Sequence, residues 1–175
     1  MDRALVVTLR WRQGDRATAS RLATELVQAK PRRQLRREHP WTVAGVLVQA
    51  GFVLSELGET PTLLQAVERT LGLIQGAPME LPLRWQWCVL LASARRQEGN
   101  WAETDEILRT AEPHLDPGTC DLGLLERERA RGSAARGDAA GAATSYARAA
   151  ATFDAAGERW HAAETRAEAA RVAGR

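Results

Sequence analysis

Apolar residues recur along this chain at the three-to-four-residue spacing of amphipathic helices, and the alternation typical of strands is nearly absent. Between residues 16 and 29, the apolar positions line one helical face: Ala19, Leu22, Ala23, Leu26 and Val27. The same pattern predicts helices over 2–12, 16–29, 40–57, 61–75, 82–98, 101–111, 121–136, 139–156 and 158–173. The predicted fold class is therefore all-α.

Four glycines divide these helices into pairs, and a polar or acidic residue follows each glycine. They are Gly14-Asp15, Gly58-Glu59, Gly99-Asn100 and Gly137-Asp138, at intervals of 44, 41 and 38 residues. Glycine adopts the left-handed backbone that commonly ends a helix, and the polar residue after it can cap the next one. A turn chemistry used four times predicts a helical hairpin used four times.

Small and large residues at matching positions of these hairpins resemble the tetratricopeptide repeat (TPR). The fourth repeat carries Ala130, Gly137, Asp138, Ala142, Tyr146 and Ala149. The third carries Ala92, Gly99, Trp101, Leu108, Ala111 and the Asp116-Pro117 pair. The second carries Gly51, Gly58, Leu63, Val67 and Thr70, and the first carries Gly14, Asp15, Ala19 and Pro31. The chain is also similar to the helical-repeat regions of multidomain bacterial signalling ATPases and transcriptional activators.

This resemblance implies a right-handed α-solenoid of about four TPR-like hairpins plus a C-terminal capping helix. The implied single domain spans 1–175, with repeats at about 1–31, 40–77, 81–117 and 120–157 and the capping helix at 158–173. The chain departs from the family in its intervals, which exceed the usual 34 or so residues. Leu63 and Thr104 also replace the expected alanine, and Arg129 occupies an expected core position.

Composition indicates an ordinary soluble domain, with 45% hydrophobic and 26% charged residues and a net charge of +2. The segment from Lys30 to Pro40 carries a local excess of positive charge. Cys88 and Cys120 have no CxxC spacing, and the N-terminus has no zones of a signal peptide. The apolar run from Val43 to Leu54 is too short to span a bilayer. We therefore expect a cytoplasmic protein with no membrane partner.

No motif of catalysis or cofactor binding occurs, since HExxH, CxxC, GxGxxG and Walker spacings are all missing. We expect no enzyme activity, no metal and no cofactor. The arginines of the basic segment, Arg32, Arg33, Arg36 and Arg37, could contact phosphates. No aromatic platform accompanies them, so a solvated connector is the favoured interpretation and nucleic acid is not an expected partner.

The first helices of TPR hairpins line a concave groove, and the resemblance places partner-binding residues there. The candidates are Trp11, Arg12, Phe52, Ser93, Arg96, Gln97, Arg127 and Arg131. Aromatic residues at one end and arginines at the other would suit a peptide or protein partner with an acidic segment. In the alternative interpretation, the aromatic residues are packed core and the arginines pair with neighbours such as Glu128.

The predicted function is a non-enzymatic protein–protein interaction module. The alternative is an effector-sensing or regulatory helical-repeat region of a bacterial transcription regulator. The first helix presents Ala4, Val6 and Val7 with no preceding repeat to cover them. Three interpretations are open: the chain is a part of a longer parent protein, a partner associates with this uncapped helix, or the helix is frayed.

Overall fold

The computed structural model describes residues 3–30, 40–74 and 81–174, and every regular element within those ranges is a helix. The α-helices are α1 (Arg3–Arg12), α2 (Arg16–Gln28), α3 (Pro40–Leu57), α4 (Thr60–Ile74), α5 (Leu81–Gln97), α6 (Trp101–Ala111), α7 (Cys120–Ala135), α8 (Ala139–Ala155) and α9 (Arg159–Ala173). A short 3-10 helix, Glu112–His114, follows α6. The all-α prediction is confirmed.

The predicted helix ends agree closely with the observed ones, and the clearest difference is at Thr60. The predicted helix over 61–75 begins one residue earlier, at Thr60. The hydroxyl of Thr60 donates to Oε1 of Gln97 at 2.6 Å. The predicted repeat ends at Pro31 and Ala77 lie outside the described residues.

The glycine turns share one backbone geometry. The φ angles are +81° at Gly14, +75° at Gly58, +78° at Gly99 and +80° at Gly137. Gly157 also has a positive φ, of +75°. These values lie in the left-handed region that favours glycine, as the sequence predicted. At four of them, all but Gly99, the next residue donates its N–H to the carbonyl five residues earlier, which closes the preceding helix.

The capping role predicted for the polar residue after the glycine is confirmed at three turns. Carboxylate or amide oxygens of Asp15, Asn100 and Asp138 accept hydrogen bonds from backbone N–H groups three residues later. These bonds satisfy donors that have no partner within the first turn of a helix. The start of each following helix is therefore fixed locally.

The chain divides into two compact units, residues 1–98 and residues 99–175. The sequence predicted one domain over 1–175. The boundary is at the Gly99 turn, so α5 and α6, which were predicted to form the third hairpin, belong to different units. Each unit has its own packed helices and is described by itself.

In the first unit, α1–α5 form two layers. Helix α3 packs against α1 and α5, while α2 packs against α4. Helix α3 also packs against both α2 and α4, so four helices surround it. Gly51 lets Leu90 of α5 approach closely, since a β-carbon there would be 2.9 Å from Leu90 Cδ1. The core of this unit lies around α3, whose buried residues include Leu47, Val48 and Leu54.

In the second unit, α7 packs against α6 and α8, and α8 packs against α9. Residues 123–128 of α7 are all buried. The residues Ala130, Ala142 and Tyr146 form a small buried apolar cluster, and Ala169 and Val172 of α9 pack against it. Helix α7 is therefore the central helix of this unit, although its sequence contains alternating glutamates and arginines.

Among the described residues, α3 is the one helix whose length and mean hydropathy would allow it to cross a membrane. Half of its 18-residue window is buried inside the protein. Core helices commonly meet the same two criteria, and α3 has four packed neighbours that give its apolar residues a protein environment.

Candidate functional site

The predicted groove residues are divided between the two units. Six belong to the first unit and two, Arg127 and Arg131, belong to the second.

Ser93 is the centre of a buried polar network rather than a surface contact. It is 1% exposed, and its Oγ is 2.5 Å from Oγ of Ser55. Gln97 donates from Nε2 to the Ser55 carbonyl at 3.0 Å and accepts from Thr60. These bonds join α3, α4 and α5. The prediction that Ser93 lines an open surface needs correction, because helices on both sides enclose it.

Arg96 extends this network toward solvent. Its Nη2 is 3.4 Å from Ser93 Oγ, and the residue is partly exposed. The structure thus brings together three predicted residues, Ser93, Arg96 and Gln97, at the C-terminal end of α5. Within this group, Arg96 is the one with a charge that a partner could approach.

Phe52 lies on the single open side of α3. Five of the accessible residues of this helix recur at intervals of three and four: Thr42, Gly45, Gln49, Phe52 and Glu56. We call these five residues the α3 stripe. Phe52 is partly buried, and its inner part packs against the core. Gly45 has open space where a β-carbon would be, so the stripe has a shallow gap in its middle.

Trp11 and Arg12 are the last two residues of the neighbouring helix α1. Trp11 is partly buried and packs against the same core as Phe52, whereas Arg12 is exposed. Helices α1 and α5 both contact α3. Trp11, Arg12 and Arg96 are therefore carried by the two helices that border α3 within its layer.

Arg127 is buried and cannot form the arginine-rich surface predicted for it. It is 3% exposed, and its guanidinium carbon is 5.9 Å from the centre of the Phe153 ring. His161 stacks on Phe153 with 5.1 Å between ring centres. Because the positive charge lies beside an aromatic face, Arg127 packs as part of the interior of the second unit.

Arg131 is held by carboxylates of its own unit. Its Nε is 2.7 Å from Oε1 of Glu168 and its Nη2 is 2.9 Å from Oε2, a bidentate pair. Its Nη1 is 3.5 Å from Glu128. Tyr146 donates to the same Glu168 at 3.0 Å, and burial raises the pKa of this phenol. Arg131 therefore joins α7 to α9 and is not an open groove residue.

A second ionic cluster in this unit was not predicted. Arg129 donates to Glu112 at 2.9 Å and to Glu126 at 3.1 Å, and Arg148 lies 2.6 Å from Glu126. Glu126 is 1% exposed, and burial raises the pKa of its carboxyl. Hydrogen bonds from Arg129 lower the pKa of Glu112. The i, i+3 spacing of Glu126 and Arg129 was the one signal visible in the sequence.

Both arginines of this cluster converge on one oxygen of Glu126. Oε2 of the same carboxylate is buried and has no hydrogen-bond partner in the described structure. An unpaired carboxylate oxygen in the interior costs free energy. The cluster therefore stabilises α7 and α8 against each other less well than its number of ion pairs suggests.

The two cysteines have properties of packed thiols. Burial and the carboxylates of Glu158 and Asp121 raise the pKa of Cys120 to about 11, and burial raises that of Cys88. Thiolate, not thiol, is the nucleophile and metal ligand. In the part of the chain that the structure describes, no three His, Cys, Asp or Glu side chains are grouped as metal ligands would be.

Of the three residues that the first helix was predicted to present, Val6 is partly exposed and the other two are not. Ala4 and Val7 are buried, at 5% and 1% exposure. Leu5 and Leu9 are exposed instead, at 66% and 52%. They are four residues apart and therefore share one side of α1. The arginines of the basic segment, between residues 31 and 39, lie outside the described residues.

Comparisons with protein-family models, with curated proteins and with solved structures find no match to this chain.

Proposed function

We propose that this protein is a non-enzymatic helical-repeat module that binds a peptide or a partner protein on the α1–α3–α5 layer of its first unit. The observation that carries this proposal is the α3 stripe. Four neighbouring helices cover the other sides of α3, and the side they leave open presents the partly exposed ring of Phe52.

The bordering helices supply the chemistry that such a surface needs. Trp11 and Phe52 offer large, partly exposed rings that can bury apolar area. Arg12 and Arg96 place positive charge on the helices beside them, and guanidinium groups pair well with carboxylates. The partner is therefore an extended or helical segment with apolar residues next to acidic ones. Aromatic and arginine residues commonly dominate the affinity of protein interfaces.

This proposal uses fewer residues than the sequence analysis did. Ser93 and Gln97 now have the role of positioning Arg96 through the Ser55 network. Arg127 and Arg131 are left out, since both are engaged inside the second unit.

We also propose that the repeats form a right-handed, TPR-like solenoid with α9 as its cap. The shared glycine-turn geometry supports this, together with the packing of α1 on α2, α3 on α4 and α7 on α8. Small-angle X-ray scattering of the full chain tests it, because a solenoid has an elongated distance distribution. A scattering profile of a compact sphere would contradict it.

The binding proposal is tested by selecting peptides from a displayed random library against the full chain. The tightest peptide is then titrated against Phe52→Ala and Arg96→Glu by calorimetry. We expect each change to weaken binding about tenfold or more, because truncating a central anchor typically costs at least about 1.4 kcal/mol. Enrichment of Asp and Glu among the selected peptides is also expected.

Matched controls are available on α2 and α4, which form the other layer of the first unit. Leu71 of α4 is an exposed apolar residue, and Arg21 of α2 is an exposed arginine paired with Glu25. Leu71→Ala and Arg21→Glu should leave the affinity unchanged. If these controls weaken binding as much as the test variants do, the site is not on the α3 stripe. Stabilisation by small metabolites with no peptide binding would instead favour the effector-sensing alternative.

A further inference from the structure

Helix α9 is attached to α7 and α8 by a polar latch of three residues. Arg131 of α7 pairs in bidentate fashion with Glu168 of α9, and Tyr146 of α8 donates to the same carboxylate. Glu168 is partly buried, with an exposed fraction of 18% in its side chain. The latch therefore fixes one register of α9 and recognises a carboxylate at one position.

Apart from this latch, α9 is held by one aromatic contact, in which His161 stacks on Phe153, and by small side chains. The small residues of its inner side are Ala162, Thr165, Ala169 and Val172, and the two fully buried residues are Ala162 and Thr165. Small side chains remove little apolar area from water, so they contribute little to attachment. An ion pair between Arg166 and Asp154 also joins α9 to α8, but both side chains are about half exposed. Exposed pairs of this kind contribute little.

Two polar features further weaken the position of α9. The Thr165 hydroxyl is completely buried and makes no hydrogen bond. Glu158, the residue before α9, makes no side-chain capping bond, whereas Asp15, Asn100 and Asp138 cap their helices. The second unit therefore holds its last helix with a specific contact but an imperfect fit.

The connection to α8 is a turn that depends on one glycine. Gly157 has a φ of +75°, and open space surrounds the position of its missing β-carbon. Helix α8 ends at Ala155 and α9 begins at Arg159. If the left-handed turn opened, the alanine-rich sequence on both sides could continue as one helix, and α9 would leave its own unit.

We propose that α9 is an exchangeable helix and that the face of α7 and α8 beneath it accepts the α9 of a second copy of this chain. The latch identifies this occupant, because Arg131 and Tyr146 require a carboxylate at the position of Glu168, beside small residues at the positions of Ala162 and Thr165. A second copy presents all of them in the same register. The exchanged dimer keeps every contact of the latch and removes only the turn.

The decisive experiment mixes two variants in which opposite sides of the latch have their charge reversed. Arg131→Glu places two carboxylates at the latch, and Glu168→Arg places two guanidinium groups there. In a mixed dimer with exchanged helices, both latches again pair opposite charges. We expect each variant alone to lose hydrogen-exchange protection in α9, and an equimolar mixture to form a heterodimer in which that protection returns. A mixture that behaves as the sum of its two components would overturn the proposal.

A second pair of variants keeps the proposal testable if charge reversal prevents folding. Gly157→Ala disfavours the left-handed turn between α8 and α9, whereas Gly118→Ala introduces the same strain at φ +76° outside that connection. Sedimentation velocity should show a dimer dissociation constant at least about 30-fold lower for Gly157→Ala, because the exchanged dimer relieves the left-handed penalty in both of its chains. Gly118→Ala should sediment as the unaltered chain does. Equal behaviour of the two variants would overturn the exchange.

Discussion

The ring of Phe153 lies close against Gly123, where a β-carbon would be 2.6 Å from ring atom Cε1. Phe153 is completely buried and also contacts Arg127 and His161. The glycine is therefore what allows α7 and α8 to approach each other at this level. Glycine is needed at position 123 because of the space that the ring occupies, and not because of the backbone conformation there.

We expect Gly123→Ala to destabilise the second unit by about 1–3 kcal/mol, because overpacking a filled core forces its neighbours to move. Urea unfolding monitored by circular dichroism measures this effect. The control is Gly132→Ala on the same helix, where nothing lies within 4 Å of the added carbon. Alanine has the better helix propensity, so this control should be neutral or stabilising. Equal destabilisation by both changes would show that the Phe153 contact is not limiting.

The hydroxyls of Ser55 and Ser93 provide a test of the network beneath Arg96. We expect Ser93→Ala to cost about 1–3 kcal/mol, because it leaves the buried Ser55 hydroxyl without its partner. The double variant with Ser55→Ala should cost less than the sum of the two single changes, since it leaves no unpaired hydroxyl. A double-mutant cycle from denaturant unfolding gives the coupling energy. Strict additivity would mean that the two serines do not interact in solution.

The pH dependence of stability should contain two opposite contributions from the ionic cluster. Burial raises the folded pKa of Glu126 above its ordinary value of 4.5. Its contribution is therefore fully present below pH 4.5 and is lost as the pH rises through the folded pKa. Arg129 lowers the folded pKa of Glu112. That contribution is present above pH 4.5 and is lost as the pH falls through the folded pKa.

Two conservative variants separate these contributions. The stability of the unaltered chain minus that of Glu126→Gln should fall as the pH rises above 4.5. The corresponding difference for Glu112→Gln should fall as the pH is lowered below 4.5. Urea unfolding between pH 3 and pH 8, with about 1.4 kcal/mol of change expected for each unit by which a pKa differs between the folded and unfolded states, measures both. If both differences changed with pH in the same direction, the assignment of the raised pKa to Glu126 would be wrong.

The helices and their turns could be predicted from sequence because their signals are local. Gly58 ends α3 and Asp138 caps α8 through contacts within a few residues, and both roles were visible in the sequence. The partners of the arginines were not visible in the same way. Arg131 has Glu128 three residues before it, but its bidentate partner Glu168 is 37 residues away.

The burial of charge in α7 is the feature that sequence reasoning missed most clearly. Ionised groups are seldom buried without partners, and the sequence predicted an open groove position for Arg127 and indicated no role for Glu126. The structure buries Glu126 because Arg148 from the next helix reaches it. That contact depends on how two helices pack, and no local pattern around Glu126 could reveal it.

The geometry of the latch predicts that arginine and lysine are not equivalent at position 131. Lysine keeps the charge but has no planar fork, so Arg131→Lys loses one of the two bonds to Glu168. We expect a cost of about 1–3 kcal/mol in the second unit, since bonds to charged, poorly hydrated groups are worth more than average. Arg171→Lys is the control, because the contacts of Arg171 with Glu164 and with the Ala167 carbonyl are both exposed, so it should tolerate lysine with little change. Thermal unfolding of both variants at low and high salt checks the difference.

The effect at position 131 should persist in high salt, because a partly buried pair is screened less than an exposed one. If salt abolished it, the Arg131–Glu168 pair would be a surface contact, and the register of α9 would have to come from its small apolar residues alone.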